Sequence, residues 1–299
     1  MVSPALAGTA ACLLAAGAWA VAVLWFRGAI ADYGPWTVNL AKCGLATVLL
    51  AITVLVVGQG SVLLQAPLVA LGWIAVSGLV GMTLGDTALF AAVPHLGVHR
   101  TLLLQTLNPL FTALGALLLL GEDLAGTTLA GGATVLAGVA LVIARDSATQ
   151  VPGSLLRGGL LALLAAFGQG LGVVLAKLGM VSLPFLSAAL VRLATATAGL
   201  VIVLACAGAV ARHLRPLGKG ATWRRVAAPS VLGTYLAILL MMAGIAWSPA
   251  AVAAVLLSTS PIFSLFLEAR IDRTALTPRA LAGTLLAVAG VAIISWPAT

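Results

Sequence analysis

Residues 129–144 read LAGGATVLAGVALVIA, and residues 281–296 read LAGTLLAVAGVAIISW. Adding 152 to a residue number carries Gly131 onto Gly283, Gly138 onto Gly290 and Val139 onto Val291. The same offset carries Pro109, in an Asn108-Pro109 break, onto Pro261, in a Ser260-Pro261 break. Matched glycines and prolines at one fixed spacing, set in apolar runs, mark a unit written twice, here from Gly85 to Arg145 and from Gly233 to Trp296.

Proline inside a helix deletes one backbone hydrogen bond and crowds the preceding turn. In hydrocarbon, the carbonyls it frees need a polar partner or a water-filled cavity. Two breaks at equivalent places therefore point to a shared polar hollow between two halves.

Of the 299 residues, 62% are hydrophobic and 7% charged, with a mean hydropathy of +1.20. A soluble domain could not cover its surface with that composition, so the solvent of this chain is a lipid bilayer. The net charge of +8 then speaks of orientation, and no aromatic-rich basic patch points to nucleic acid. Cys12, Cys43 and Cys206 all fall inside apolar runs with no metal-ligand spacing and read as small hydrophobes. The opening residues lack a basic leader and are too long an apolar run for a signal core, so they are expected to stay as the first span.

Apolar runs separated by Gly, Pro and charge give an all-α membrane protein with ten spans. They cover about 5–26, 35–57, 68–93, 97–120 and 127–144, then about 155–176, 184–207, 226–247, 250–268 and 279–296. Residues 1–146 form a first five-helix repeat, 147–154 a linker and 155–299 a second repeat. Near the start of each half an offset of 150 places Gly8 on Gly158, Arg27 on Lys177 and Lys42 on Arg192. Five spans is an odd number, so the halves are expected to cross in opposite senses, as an inverted repeat.

Lys and Arg set the orientation. On the face away from the N-terminus, here face B, fall Arg27, Arg100, Arg145, Arg157, Arg212, Arg215, Lys219, Arg224, Arg225, Arg270, Arg273 and Arg279. On the N-terminal face, face A, falls Lys177 alone, while Lys42 and Arg192 lie within spans. This bias makes face B cytoplasmic and places both termini outside.

Ten spans in two repeats, the mid-helix Asn108-Pro109, LLLLGEDLAG at 117–126 and AGVALVIA at 137–144 together resemble the EamA family of the drug/metabolite transporter superfamily. The resemblance covers essentially the whole chain. It implies a transporter of amino acids, other metabolites, sugars or toxic compounds, with export favoured. It also implies cytoplasmic termini and a basic loop between spans two and three, whereas here that loop, 58–67, has no Lys or Arg. A second departure is that Glu122 of the Gly-Glu turn aligns with Thr274.

Ionisable groups within a span are costly and mark candidate sites. Asp86 in the third span and Lys42 in the second should lie at similar depth and pair, either to hold substrate or as a structural ion pair. With Arg192, Lys42 would set a cation toward each mouth and suit a carboxylate or phosphate, unless the two snorkel to the interface. Trp19, its repeat mate Gln169 and Tyr235 are candidates to stack or orient a ligand, against plain helix packing. Gln105, Asn108, Ser258 and Ser260 flank the breaks and could bind freed carbonyls or substrate. His95, His99 and Arg100 form a short face-B turn, read as solvated loop groups or as a proton-coupling gate, with His99 also a candidate substrate-binding residue.

These readings favour a secondary transporter moving amino acids or related organic solutes by alternating access. The alternatives are an exporter of toxic or cationic drugs and, from another class, a membrane-embedded enzyme. No GxxxxGK[ST], HExxH or GxSxG motif occurs, so neither nucleotide hydrolysis nor a hydrolase is indicated, and no cofactor is implied. The expected partners are a small-molecule substrate, the bilayer and protons as an alternative energy source, with a monomer as the working unit.

Overall fold

The computed structural model describes residues 4–120, 126–143, 154–247, 256–273 and 276–294, and every element among them is helical. Among the described residues six helices are long and apolar enough to cross a membrane, and two shorter apolar ones cover Leu129–Val142 and Pro278–Ile294. Their outward faces carry bare side chains such as Leu55, Val56 and Val69. Such surface belongs in lipid.

Helix α1, Pro4–Val56, is two limbs joined at Gly34, whose φ of 80° and ψ of 162° leave the helical region. Glycine takes that φ without a Cβ penalty, and the following Pro35 needs no N–H partner at the start of a new limb. The loop expected between the first two spans is thus a one-residue corner. Short α2, Gly60–Leu64, leads to α3, Leu68–Gly78, which passes without a break through a π-helical stretch, Leu79–Asp86, into α4, Thr87–Leu96. A corner at Gly97 starts α5, Val98–Leu104. A 3₁₀ turn, Gln105–Leu107, separates α5 from α6, Asn108–Leu120, and α7 covers Gly126–Ile143.

The second half follows the same plan with α8, Ser154–Met180, α9, Phe185–Cys206, and α10, Val210–Leu214. Next, α11, Gly220–Ser230, runs through a second π-helical stretch, Val231–Leu236, into α12, Ala237–Trp247. Helices α13, Ser260–Asp272, and α14, Pro278–Ile294, close the chain. The two π stretches begin at Leu79 and Val231, 152 residues apart, the spacing of the sequence repeat. The duplication is therefore written in the backbone as well as in the glycines.

Contacts between the halves come in exchanged pairs. A Cβ placed on Gly81 would meet the Gly168 carbonyl oxygen at 3.6 Å, and one on Gly233 would meet that of Ala18 at 3.6 Å. Gly233 is the repeat mate of Gly81, and Ala18 that of Gly168. Likewise α7 packs on α14 with Gly131 against Gly290 and Gly138 against Gly283, so these helices run antiparallel. Side-chain-free ridges let the backbones approach closely enough that dispersion and Cα–H···O contacts hold them where lipid offers no hydrophobic drive.

Two expectations need correction. Pro109 and Pro261 do interrupt their spans, but each is the second residue of a new helix, α6 or α13, where a missing N–H costs nothing. His99 is not a solvated turn residue: only 7% of its surface is exposed, within the first turn of α5. The linker up to residue 153, the Glu122-Asp123 turn and Trp296 lie outside the described residues.

Candidate functional site

Lys42, on the second limb of α1, and Asp86, at the end of the first π stretch, meet in a direct ion pair with Lys42 0% and Asp86 1% exposed. The other carboxylate oxygen of Asp86 accepts a hydrogen bond from the Gln169 amide of α8. Lys42 Nζ also lies 5.5 Å from the Trp19 ring and 5.1 Å from the Phe90 ring, so the faces of two aromatics share its charge. Four residues singled out from the sequence therefore converge on one point.

The π geometry shapes this point. Widening the helix loosens the backbone ladder there and leaves carbonyls needing other donors. Asn39, one turn before Lys42 on the same limb, donates to the Met82 carbonyl at 2.9 Å and to Thr87 Oγ1 at 2.9 Å. Around it, Ser77 donates to the Gly172 carbonyl at 2.6 Å and Thr83 to the Ala196 carbonyl at 3.0 Å. The stretch carrying Asp86 is thus tied to α1, α8 and α9 at once.

Arg192 of α9, the repeat mate of Lys42, reaches the same π stretch. A Cβ on Gly81 would lie 2.8 Å, and one on Gly172 3.2 Å, from its Nη2, so glycines on two elements make room for the guanidinium. Asp86 is the carboxylate whose field acts on it, yet among the described residues no carboxylate lies within ion-pair distance. Its Nε is shielded from solvent and has no hydrogen-bond partner. Lys42 is fully buried, whereas Arg192 turns Nη2 toward Gly81 and Gly172 while part of the residue stays accessible.

The remaining candidates lie elsewhere. Tyr235 bonds Thr53 through its hydroxyl at 2.8 Å, roughly 16 Å along the limb from Lys42 at 1.5 Å per residue, and does not join Trp19. Gln105 donates to the Ala162 carbonyl at 3.3 Å, and Asn108 accepts from Thr112 at 3.3 Å, both beside α8. Ser260 donates back to the Leu257 carbonyl at 3.0 Å, and Ser258 sits in the turn just before α13. His99 Nδ1 lies 3.2 Å from the Pro261 carbonyl oxygen, which also accepts from Ser264 at 2.9 Å. The carbonyl beside the second break thus finds its partners in α5 and in its own helix.

Charged groups assigned to face B gather at one end. Glu268 accepts from the backbone N–H groups of Val98 at 3.3 Å and His99 at 2.9 Å, which satisfies the first turn of α5. Arg27 holds Asp272 through a two-pronged pair at 2.6 and 2.8 Å and keeps its carboxyl below the ordinary carboxylate range. At the same end a cavity of about 620 Å³ opens around the Gly34 corner, with Thr37, Arg212 and His213 in its wall. Thr37 and His213 are hydrogen-bonded at 2.8 Å. Burial, then the neighbouring Arg212, push His213 toward the neutral form. Lys42 and Asp86 do not line this cavity; Thr37, five residues before Lys42, is its nearest approach along the limb.

Sequence reasoning passed over Asn39, Phe90 and the glycines around Arg192. Asn39 carried a signal, since three residues before Lys42 puts it on the same helix face. The others depend on which helices become neighbours. Among the described residues no group of three or more His, Cys, Asp or Glu is placed to hold a metal.

A comparison with curated protein sequences found no significant match. One solved crystal structure superposes with a TM-score of 0.67 at 18% identity, covering 96% of this chain and 94% of its own, a likeness that speaks for the fold alone. The EamA-like transporter family matches residues 6–144 and again 156–296, once for each half. With both halves matched, and the two matches bracketing the repeat that the glycines, prolines and π stretches had already marked, the chain belongs to the EamA-like transporter family.

Proposed function

We propose that this protein is a secondary transporter that moves small metabolites, amino acids or related organic solutes, across the cytoplasmic membrane by alternating access, with export as its net direction. The observation that carries the reading is the meeting of repeat mates from both halves, Trp19 with Gln169 and Lys42 with Arg192, around the single acid Asp86. Packing of two related units accounts for repeat mates meeting, as Thr47 and Thr197 do, but gives them no reason to carry buried charge there. A site shared by both units, with the halves rocking about it, gives them one.

Ten spans in two inverted repeats fit this reading and draw support from the antiparallel α7–α14 contact and the exchanged glycine pairs. The Lys and Arg bias favours face B as cytoplasmic. On that assignment the 620 Å³ cavity is an inward-facing vestibule. Energy comes from the substrate gradient, or from protons if Asp86 changes charge during the cycle.

Flux in proteoliposomes tests the function: saturable movement of an amino acid or organic acid, lost in Asp86→Asn and in Lys42→Ala, is the expected result. An unchanged rate in both variants overturns it. Orientation has its own test, after the exposed Cys206 is replaced by Ser. An impermeant thiol reagent outside the cell should modify a cysteine placed in 58–67 and spare one in 210–225, and the reverse pattern would put the termini in the cytoplasm.

A further inference from the structure

The central charges do not balance. Asp86 spends one carboxylate oxygen on Lys42 and the other on Gln169, so the Lys42–Asp86 pair is closed and neutral. Arg192 is left over: among the described residues no carboxylate is in contact with it, and its shielded Nε has no acceptor. A guanidinium never discharges by losing its proton, and a cation held within a span with no counter-charge is unfavourable even when, as for Arg192, part of the side chain stays accessible. A sequence selected only for stability would put a second acid beside Arg192, or an apolar residue in its place. Instead, Gly81 and Gly172 leave out the side chains that would crowd Nη2.

From this we infer that Arg192 is the residue that receives substrate, and that it receives one carboxylate. The inference rests on the transporter reading only for the word substrate; the binding claim stands on the charge imbalance. A single unmatched positive charge is neutralised by a monoanion, whereas a phosphate dianion would leave the centre negative and an organic cation would double the excess. The guanidinium fork matches the two oxygens of a carboxylate, and Nε is one of the donors that such a pair uses. Lys42 and Asp86 thereby become positioning residues that hold the π stretch and Gln169 against Arg192. The cargo is a small carboxylic acid or a zwitterion held through its carboxylate, and net cations are refused.

The test is ligand-dependent thermal unfolding of the purified full chain in chloride-free buffer, read by tryptophan fluorescence. Pyruvate and leucine should raise the unfolding temperature saturably, and phosphate, chloride and tetraphenylphosphonium should not. Arg192→Gln should weaken the carboxylate Kd by about 10- to 100-fold, the worth of a charged hydrogen-bonded pair, and Arg192→Lys should recover part of it. Gly81→Ala, which keeps the charge but presses on Nη2, the nearest atom to its added Cβ at 2.8 Å, should also weaken binding and serves if Arg192→Gln does not fold.

Stabilisation by tetraphenylphosphonium, by chloride as strongly as by carboxylates, or by carboxylates equally in wild type, Arg192→Gln and Gly81→Ala overturns the inference. Vesicle flux keeps the two proposals apart. Carboxylate binding with no flux retains the Arg192 assignment and removes the transporter reading. Flux of tetraphenylphosphonium that ignores Arg192→Gln does the opposite.

Discussion

Asp86 holds two partners, the Lys42 ammonium and the Gln169 amide. Asp86→Asn strips Lys42 of its counter-charge, and breaking a buried pair from one side costs about 3–5 kcal/mol, so the unfolding midpoint should fall sharply. Replacing both members by apolar residues, Lys42→Met with Asp86→Leu, removes the uncompensated charge. That double variant should recover much of the lost stability in a double-mutant cycle without recovering flux. Recovery of both would make the pair a structural rivet.

At this scale the sequence was informative because a charge in an apolar run is conspicuous: Lys42, Asp86, Arg192, Trp19 and Gln169 were all visible before their neighbours were known. Tyr235 was equally visible, yet it bonds Thr53 instead. A polar atom in a span advertises that it needs a partner, but which partner is settled by how the helices are arranged.

Between helices the decisive groups are glycines. Gly138 faces α14 with the Gly283 carbonyl oxygen and the Ala287 nitrogen both 2.6 Å from where a Cβ would stand. Gly138→Val must force the two helices apart and should lower stability by about 1–3 kcal/mol, measured by the unfolding temperature in detergent. Gly159 of α8 has nothing within 4 Å. There, Gly159→Ala should be neutral or stabilising by up to about 1 kcal/mol, since only the helix propensity changes. The α7–α14 glycines were readable as close-contact positions because they recur at the repeat spacing. The π stretches were not, since one extra residue in a turn leaves no mark on composition. Nor was the Gly34 corner, where Gly-Pro signalled a boundary but not that the loop would shrink to one residue.

For the molecule as a whole, the bond between Arg27 and Asp272 joins the first limb of α1 to α13 at the face-B end. Because Asp272 titrates lower in the folded protein, the pair contributes stability above the ordinary carboxylate range and loses it as pH falls through the depressed value. The difference in unfolding temperature between wild type and Asp272→Asn should therefore be constant at neutral pH and close only in strong acid. A gap that closes near pH 6 would mean that another group controls this contact.

Thr47 and Thr197 lie 150 residues apart, the repeat offset, and their hydroxyl oxygens are 3.2 Å from each other. Each is the other's counterpart, so any motion in which the two halves trade conformations must leave their separation as it was. They form a fulcrum. Spin labels at 47 and 197 should give one unmoving distance through a full working cycle. Labels across the Thr37–His213 and Gln59–Ser187 contacts, one at each end of the molecule, should lengthen and shorten in antiphase.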